Sequence, residues 1–467
     1  MLSKKGFIIL KSDIDDTKIK WLKNELTVSP ENSFNQNLTN NNLDSFPVFR
    51  ESKSRFRIPR FFGIEHFPLK YKNSISSGVK IDVSFKGTLK KETCQDIAAE
   101  KSLQQLADKG CGILSLPTGY GKTCISLYIL AQLGLKTLII VHKEFLMNQW
   151  IERIQQFLPN ADIGRIQQNK VDVVGKDIVI AMLQSIAMKT YDSNLFDTFG
   201  FTIIDETHHI SSKVFSQALF TVCTKHMLGL SATPIRKDGL TKVLSWFIGD
   251  IFYCVKRENQ SLVNVEFITF TCEEYKQDPP LNKLGKISLS TVINQLVLID
   301  KRNDLILDKI VYLLNIKRKI IFLSDRRNHC EEIFNRFNKL NLNYTSGLYM
   351  GGMKQSDLKE NEKCNLILAT FSLAHEGLDI PDLDTLILAT PKTDIVQSCG
   401  RIMRETKGKK NNPLIIDIND LYGSLPNQGR KRKIFYKSSG FVINGKIKEK
   451  ELESPTKTIQ YAFVNDD

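Results

Sequence analysis

Between residues 90 and 250, short apolar runs alternate with longer segments that read as helices. The runs at 112–116, 137–141, 177–181, 202–204 and 227–231 read as strands. Strands separated by helices imply βαβ units and a parallel sheet. The rhythm breaks between 251 and 285, where Gln277-Asp278-Pro279-Pro280 marks a connector. It resumes with buried-strand runs at 319–323, 366–369, 385–389 and 414–418, so a second sheet of the same style follows. Residues 1–85 fit neither series. There the Asn-rich stretch 31–42 predicts a loop, and Phe56-Arg57-Ile58-Pro59-Arg60-Phe61-Phe62-Gly63 mixes aromatic and basic residues. Such a mixture packs as a strand with a solvated rim or stacks on bases. The expected class is α/β, with an N-terminal accessory domain (1–85) and two tandem parallel-sheet domains (86–255 and 286–425). A linker (256–285) joins the sheets, a basic extension (426–467) follows them, and the tandem arrangement allows a cleft that opens and closes.

Two short segments in the first series carry chemistry. Leu116-Pro117-Thr118-Gly119-Tyr120-Gly121-Lys122-Thr123 lies between a strand and a helix. Glycines there let backbone N–H groups close around phosphate oxygens, and the helix N-terminus favours negative charge. Lys122 would reach the outer phosphates and Thr123 would hold Mg²⁺ through its hydroxyl. Leu116 stands where the general pattern has its first glycine, and an ordinary glycine turn is the competing reading. Downstream, the run Phe201-Thr202-Ile203-Ile204 ends in Asp205-Glu206-Thr207-His208. A strand-end Asp-Glu alone often signals only a helix start. After a phosphate loop it has a job: Asp205 holds Mg²⁺, and Glu206 orients and deprotonates the attacking water.

Composition narrows the partners. The 467 residues are 42% hydrophobic and 25% charged, normal for a soluble globular chain of two or three domains. No apolar run approaches the roughly 18 residues of a membrane span. The basic, apolar start is interrupted at Lys11 and Asp13, which argues against a secretion signal. Nine scattered cysteines, with neither CxxC nor zinc spacing, read as reduced thiols in a cytoplasmic setting. Lysine and arginine outnumber the acids by 65 to 51, a net +14. That balance favours a polyanion, although scattered lysines also serve solubility. Basic patches at 430–433 and 446–450 either touch phosphates or are solvated.

The quartet 205–208 resembles the DEAH-type motif of superfamily 2 helicases, and Ser231-Ala232-Thr233 stands where their next motif falls. Its surroundings, 229–239, are similar to the XPB/UvsW-like branch, above all to the poxvirus-type transcription helicases of large DNA viruses. Gln397-Ser398-Cys399-Gly400-Arg401-Ile402-Met403-Arg404 resembles the QxxGRxxR motif of the same family. Arg401 and Arg404 share a helix face, and such guanidinium groups neutralise charge on a transferred phosphoryl group. Residues 57–63 are similar to a block of the viral branch.

The resemblance implies two RecA-like lobes, ATP and Mg²⁺ as cofactors, and a nucleic-acid partner. The polymer is DNA, with RNA as the alternative, during viral transcription with its machinery. It further implies a monomer in the cytoplasm, a virion or a viral factory. By position in the family's motifs, Gln397 lies by the attacking water, and Gly377 and Asp379 lie near the nucleotide. His208, Ser231 and Thr233 couple nucleotide state to grip. Gln95 falls where the family has an adenine-contacting glutamine, although Lys91-Glu92-Thr93-Cys94 departs from the residues usual before it. Nucleic-acid contacts fall on His142, Lys143, Gln184 and Ser185, and in the second lobe on Ser324, Arg326 and Thr370. Three readings compete: a strand-separating helicase, a duplex translocase that does not separate strands, and an ATP-responsive scaffold.

Overall fold

The computed structural model describes residues 1–30, 45–67, 71–192, 194–207, 212–232, 239–255, 263–282, 285–376, 380, 382–403 and 411–443. The chain divides into two compact units, Met1–Arg257 and Glu258–Asp467. Each is built on a predominantly parallel sheet flanked by helices, an α/β architecture.

In the first unit eight strands run in the order Lys170–Val171, Ile163–Gln167, Ile178–Met182, Thr137–Val141, Phe201–Ile204, His226–Ser231, Cys111–Ser115 and Ile251–Cys254. Only the Lys170–Val171 pairing is antiparallel. Successive strand residues point to opposite faces. Ile113, Leu138, Ile140, Val179 and Ile204 accordingly enter one core, while Leu114, Ile139, Val141, Ile180 and Ile203 enter the other. Burial on both faces explains why these strands read as unbroken apolar runs. The second core also takes in the helices Gln95–Asp108, Lys122–Leu133 and Glu144–Phe157.

The first core is continuous with the N-terminal region. Strands Leu2–Ser3, Gly6–Leu10, Arg55–Ile58 and Arg50–Glu51 form an antiparallel sheet, and Leu2, Phe7, Phe56 and Phe62 share a core with Ile113 and Ile140. Arg60, from the mixed aromatic-basic stretch, is buried and donates to Cys111 Sγ (3.0 Å) and the Thr224 carbonyl (3.3 Å). These N-terminal residues therefore pack into the first core of this unit.

The second sheet runs Ser346–Tyr349, Leu366–Thr370, Ile320–Ser324, Thr385–Leu388, Leu414–Asp420, Asn264–Phe270 and Val442–Ile443, all parallel. Two of its strands lie outside the stretch expected for this domain. Asn264–Phe270 falls in the expected linker and pairs along its whole length with Leu414–Asp420. Val442–Ile443 falls in the expected extension. The basic run at 430–433 is part of the helix Leu425–Ser438, and Arg432 is buried in an ion pair with Asp417 (2.7 Å). The Tyr436 hydroxyl donates to the same carboxylate (2.7 Å).

A second buried pair closes this unit's other side. Arg302 donates to Asp420 Oδ1 and Oδ2 (2.7 and 2.9 Å) and to the Ala389 carbonyl, with both partners fully buried. The Tyr275 hydroxyl adds a third donor to Asp420. Among the described residues, no helix is long and apolar enough to cross a membrane, and all nine cysteines are free.

Removing one partner of such a pair strands the other charge inside the protein. Arg302→Met should lower the stability of the second unit by about 3–5 kcal/mol. In urea unfolding followed by hydrogen exchange, that loss should appear in 264–443 and spare the first unit. A loss below about 1 kcal/mol would remove the pair from the account.

Candidate functional site

A parallel sheet brings strand ends of one polarity to one edge, where ligands gather in open α/β sheets. The first unit's candidate segments all follow such ends. The loop after Cys111–Ser115 starts beside Ser231, with the Leu116 amide donating to the Ser231 carbonyl (3.0 Å). Leu116 is fully buried and continues the strand, whereas Gly119 and Gly121 take left-handed φ values of +90° and +81°. Left-handed backbone is needed at only those two places, so a leucine serves where the general pattern has glycine.

Gly121 caps the helix Lys122–Leu133, and a Cβ there would meet Gln95 Nε2 at 2.4 Å. Gln95 is buried beneath the loop. Its Nε2 donates to the Tyr120 carbonyl (3.1 Å) and its Oε1 accepts from the Lys90 amide (3.0 Å). It thus braces the loop, a placement its expected adenine contact did not anticipate. The Lys122 ammonium donates to the Leu116 carbonyl (3.0 Å), closing the loop on itself. Pro117, Thr118 and Thr123 are partly exposed along it.

Asp205 and Glu206 follow the Phe201–Ile204 strand, and the Asp205 amide donates to the Ile140 carbonyl of the neighbouring strand (3.0 Å). The Asp205 carboxylate is buried and held on both oxygens. Oδ2 accepts from the Trp150 indole N–H (2.8 Å), and Oδ1 accepts from the Glu206 amide (2.9 Å). Burial, then the charge of Glu206, pushes its carboxyl up to about 6, while Trp150, Lys122 and the Glu206 amide pull it down. One strand, His226–Ser231, separates the strand before the acid pair from the strand before the loop. Glu206 has φ +47°, strained for a residue with a side chain and typical of functional sites. Asp205 has a carboxylate and Thr123 a hydroxyl, hard oxygen donors of the kind Mg²⁺ takes, and left-handed glycines are the backbone that phosphate-binding loops use.

The loops expected to touch nucleic acid are tied together. The Gln184 Nε2 donates to the His142 carbonyl (3.2 Å), linking the ends of Ile178–Met182 and Thr137–Val141. Lys143 caps the helix Glu144–Phe157. Ser185 is buried, its Oγ accepting from the Gln168 amide (3.0 Å). Ser231 is fully buried at its strand end.

In the second unit, Thr370 ends Leu366–Thr370 with its hydroxyl 3.4 Å from Ser372 Oγ. Ser324 is fully buried, bonded to His329 Nδ1 (3.0 Å) and the Arg326 amide (3.1 Å). Burial and the nearby Arg302 and Arg336 hold His329 neutral, lowered to about 3. The Arg326 guanidinium reaches back to Ser290 and Asn294. Ser324 and the Arg326 head group thus organise their own loop, which their strand-end position alone did not reveal. Gln397 and Arg401 are buried on the helix Val396–Ile402. His208, Thr233, Gly377, Asp379 and Arg404 lie outside the described residues. Trp150 escaped the sequence reading because a tryptophan on an amphipathic helix reads as core.

Residues 88–236 match the family described as type III restriction enzyme, res subunit, and residues 303–406 match the helicase conserved C-terminal domain. A protein of Acanthamoeba polyphaga mimivirus, assigned as an ATP-dependent RNA helicase, is 33% identical over 445 residues, covering 94% of this chain and 85% of that one. A protein of African swine fever virus with the same assignment is 26% identical over 375 residues, 72% of this chain and 70% of its own. Among solved structures, a fragment of an HsdR subunit of a type I restriction enzyme from Vibrio vulnificus has a TM-score of 0.53 at 19% identity. It covers 75% of this chain and 67% of that one, a likeness of fold.

A buried carboxylate raised above its unfolded value costs stability wherever it is ionised. The stability of the nucleotide-free, metal-free protein should therefore fall as the pH rises through about 6, and Asp205→Asn, which cannot ionise, should lack that fall. The comparison is of slopes, because the Asn amide nitrogen would face one of the two N–H donors and lose that bond. Thermal unfolding between pH 5 and 8 checks the trend. A wild-type slope in the variant would contradict the burial argument.

Proposed function

The chain belongs to the superfamily 2 helicases of large DNA viruses, ATP-hydrolysing enzymes that act on nucleic acid, and we propose that it turns hydrolysis into stepping along a DNA strand during viral transcription. On this reading the backbone of residues 117–123 cradles the phosphates, Lys122 neutralises them, and Thr123 with Asp205 holds Mg²⁺. The cation supplies charge neutralisation at the phosphates. Glu206 orients the attacking water and takes its proton. Gln397, Arg401 and Arg404 of the second unit act on the same phosphoryl group, while Gly377 and Asp379 line the nucleotide. His142, Lys143, Gln184 and Thr370 grip the sugar-phosphate backbone without reading bases. Cycles of nucleotide binding and release alternate the grip of the two units. His208, Ser231 and Thr233 carry the coupling. The setting is the cytoplasm of an infected cell or the virion.

One observation carries the reading: the glycine loop and the Asp205-Glu206 pair leave the same edge of one parallel sheet, after strands that both pair with His226–Ser231. The viral relatives' RNA-helicase assignment makes RNA the competing polymer. ATPase stimulation by a panel of single- and double-stranded DNA and RNA decides between them, with strand displacement set beside triplex displacement. Triplex displacement without unwinding would identify a duplex translocase.

Lys122→Ala, Glu206→Gln and Arg404→Ala should each lower turnover by about 100-fold or more while nucleic-acid binding stays measurable. Wild-type turnover in Glu206→Gln would remove Glu206 as the base. Affinity for a single strand should fall with salt at a slope of about 0.7 per phosphate neutralised. A flat dependence would contradict backbone recognition.

A further inference from the structure

The Glu144–Phe157 helix buries Leu146, Met147, Trp150 and Ile154 along one face, the spacing of an ordinary core-facing stripe. Three of these side chains are wholly apolar, whereas the fourth carries a polar N–H. A buried indole N–H needs an acceptor, and here that acceptor is Asp205 Oδ2 at 2.8 Å. The partner follows from topology. Thr137–Val141, which leads into this helix, pairs directly with Phe201–Ile204, which leads into Asp205. Trp150 is 2% exposed and Asp205 is 8% exposed, so water hardly competes for the bond. With Oδ1 receiving the Glu206 amide, the carboxylate has one donor on each oxygen and a fixed plane.

The geometry points to Trp150 as a positioning residue for the divalent cation: its indole N–H orients the Asp205 carboxylate so that the remaining lone pairs face the metal's water shell. This rests on the proposed role of Asp205 and adds to it a residue outside the recognised motifs. Donors that fix a ligand carboxylate typically change metal affinity by about 10–100-fold when removed. Fixing one carboxylate plane favours the near-octahedral geometry that Mg²⁺ requires. The bond also ties the carboxylate to a helix that begins at Glu144, just past the end of a strand expected to meet nucleic acid.

The test is Trp150→Phe in the full chain, which keeps an aromatic ring and removes the donor. As a second variant, 3-benzothienylalanine at position 150 preserves the shape of tryptophan and lacks only the N–H. Thermal shift with saturating ADP is measured first in EDTA and then across a Mg²⁺ titration, beside steady-state turnover. Positioning requires the EDTA shift to match wild type in both variants while the Mg²⁺ midpoint rises about tenfold or more. Mn²⁺, less demanding of geometry, should recover part of the loss. A wild-type Mg²⁺ midpoint in the benzothienyl variant overturns the proposal, as does an equal loss of the metal-free ADP shift, which would mark a general packing role. Absence of any Mg²⁺ effect in the wild-type protein would instead sink the reading of Asp205 itself.

Discussion

Parallel pairing is the constraint on which the rest of this structure depends. Strands that run the same way must all finish at one edge, and each must be followed by a crossover that begins there. The loop after Cys111–Ser115, the acid pair after Phe201–Ile204 and the segments after Thr137–Val141 and Ile178–Met182 are brought together by that rule. They are far apart in sequence and share no other reason to meet. Burial on both faces then keeps the sheet rigid, so chemistry can sit on loops without loosening the frame.

At that edge the protein accepts local cost. Glu206 occupies a left-handed conformation that its side chain disfavours, and Asp205 keeps a carboxylate where burial resists charge. Both costs fall on neighbouring residues of a single turn. The opposite treatment is seen in the second unit, where Asp420 and Asp417 are each satisfied by a buried arginine and a tyrosine hydroxyl. Buried acids in that frame are paired with arginines, whereas Asp205 at the candidate site is held by two neutral N–H donors, from Trp150 and from the Glu206 backbone.

Strands buried on both faces were legible because their apolar runs are continuous. The loop 116–123 was legible because glycine, lysine and threonine have few other reasons to follow a strand in that order. Asn264–Phe270 was hidden: its polar residues, Asn264, Glu266 and Thr269, break the apolar run, and its pairing partner lies about 150 residues later. Arg432 looked like part of a solvated basic run because nothing local announces Asp417 as its partner. Gln95, Ser324 and Trp150 share that difficulty. Each acts through a bond to a residue that only the folded chain brings near.

Nucleotide is proposed to occupy the edge of the first sheet, between the glycine loop and the acid pair. Hydrogen–deuterium exchange with and without ADP and Mg²⁺ tests it most directly, because backbone amides of the loop are the proposed phosphate ligands. Protection is expected at 117–123 and around 205–206, and is lost in Lys122→Ala at the same nucleotide concentration. Unchanged exchange in both segments at saturating nucleotide would contradict it.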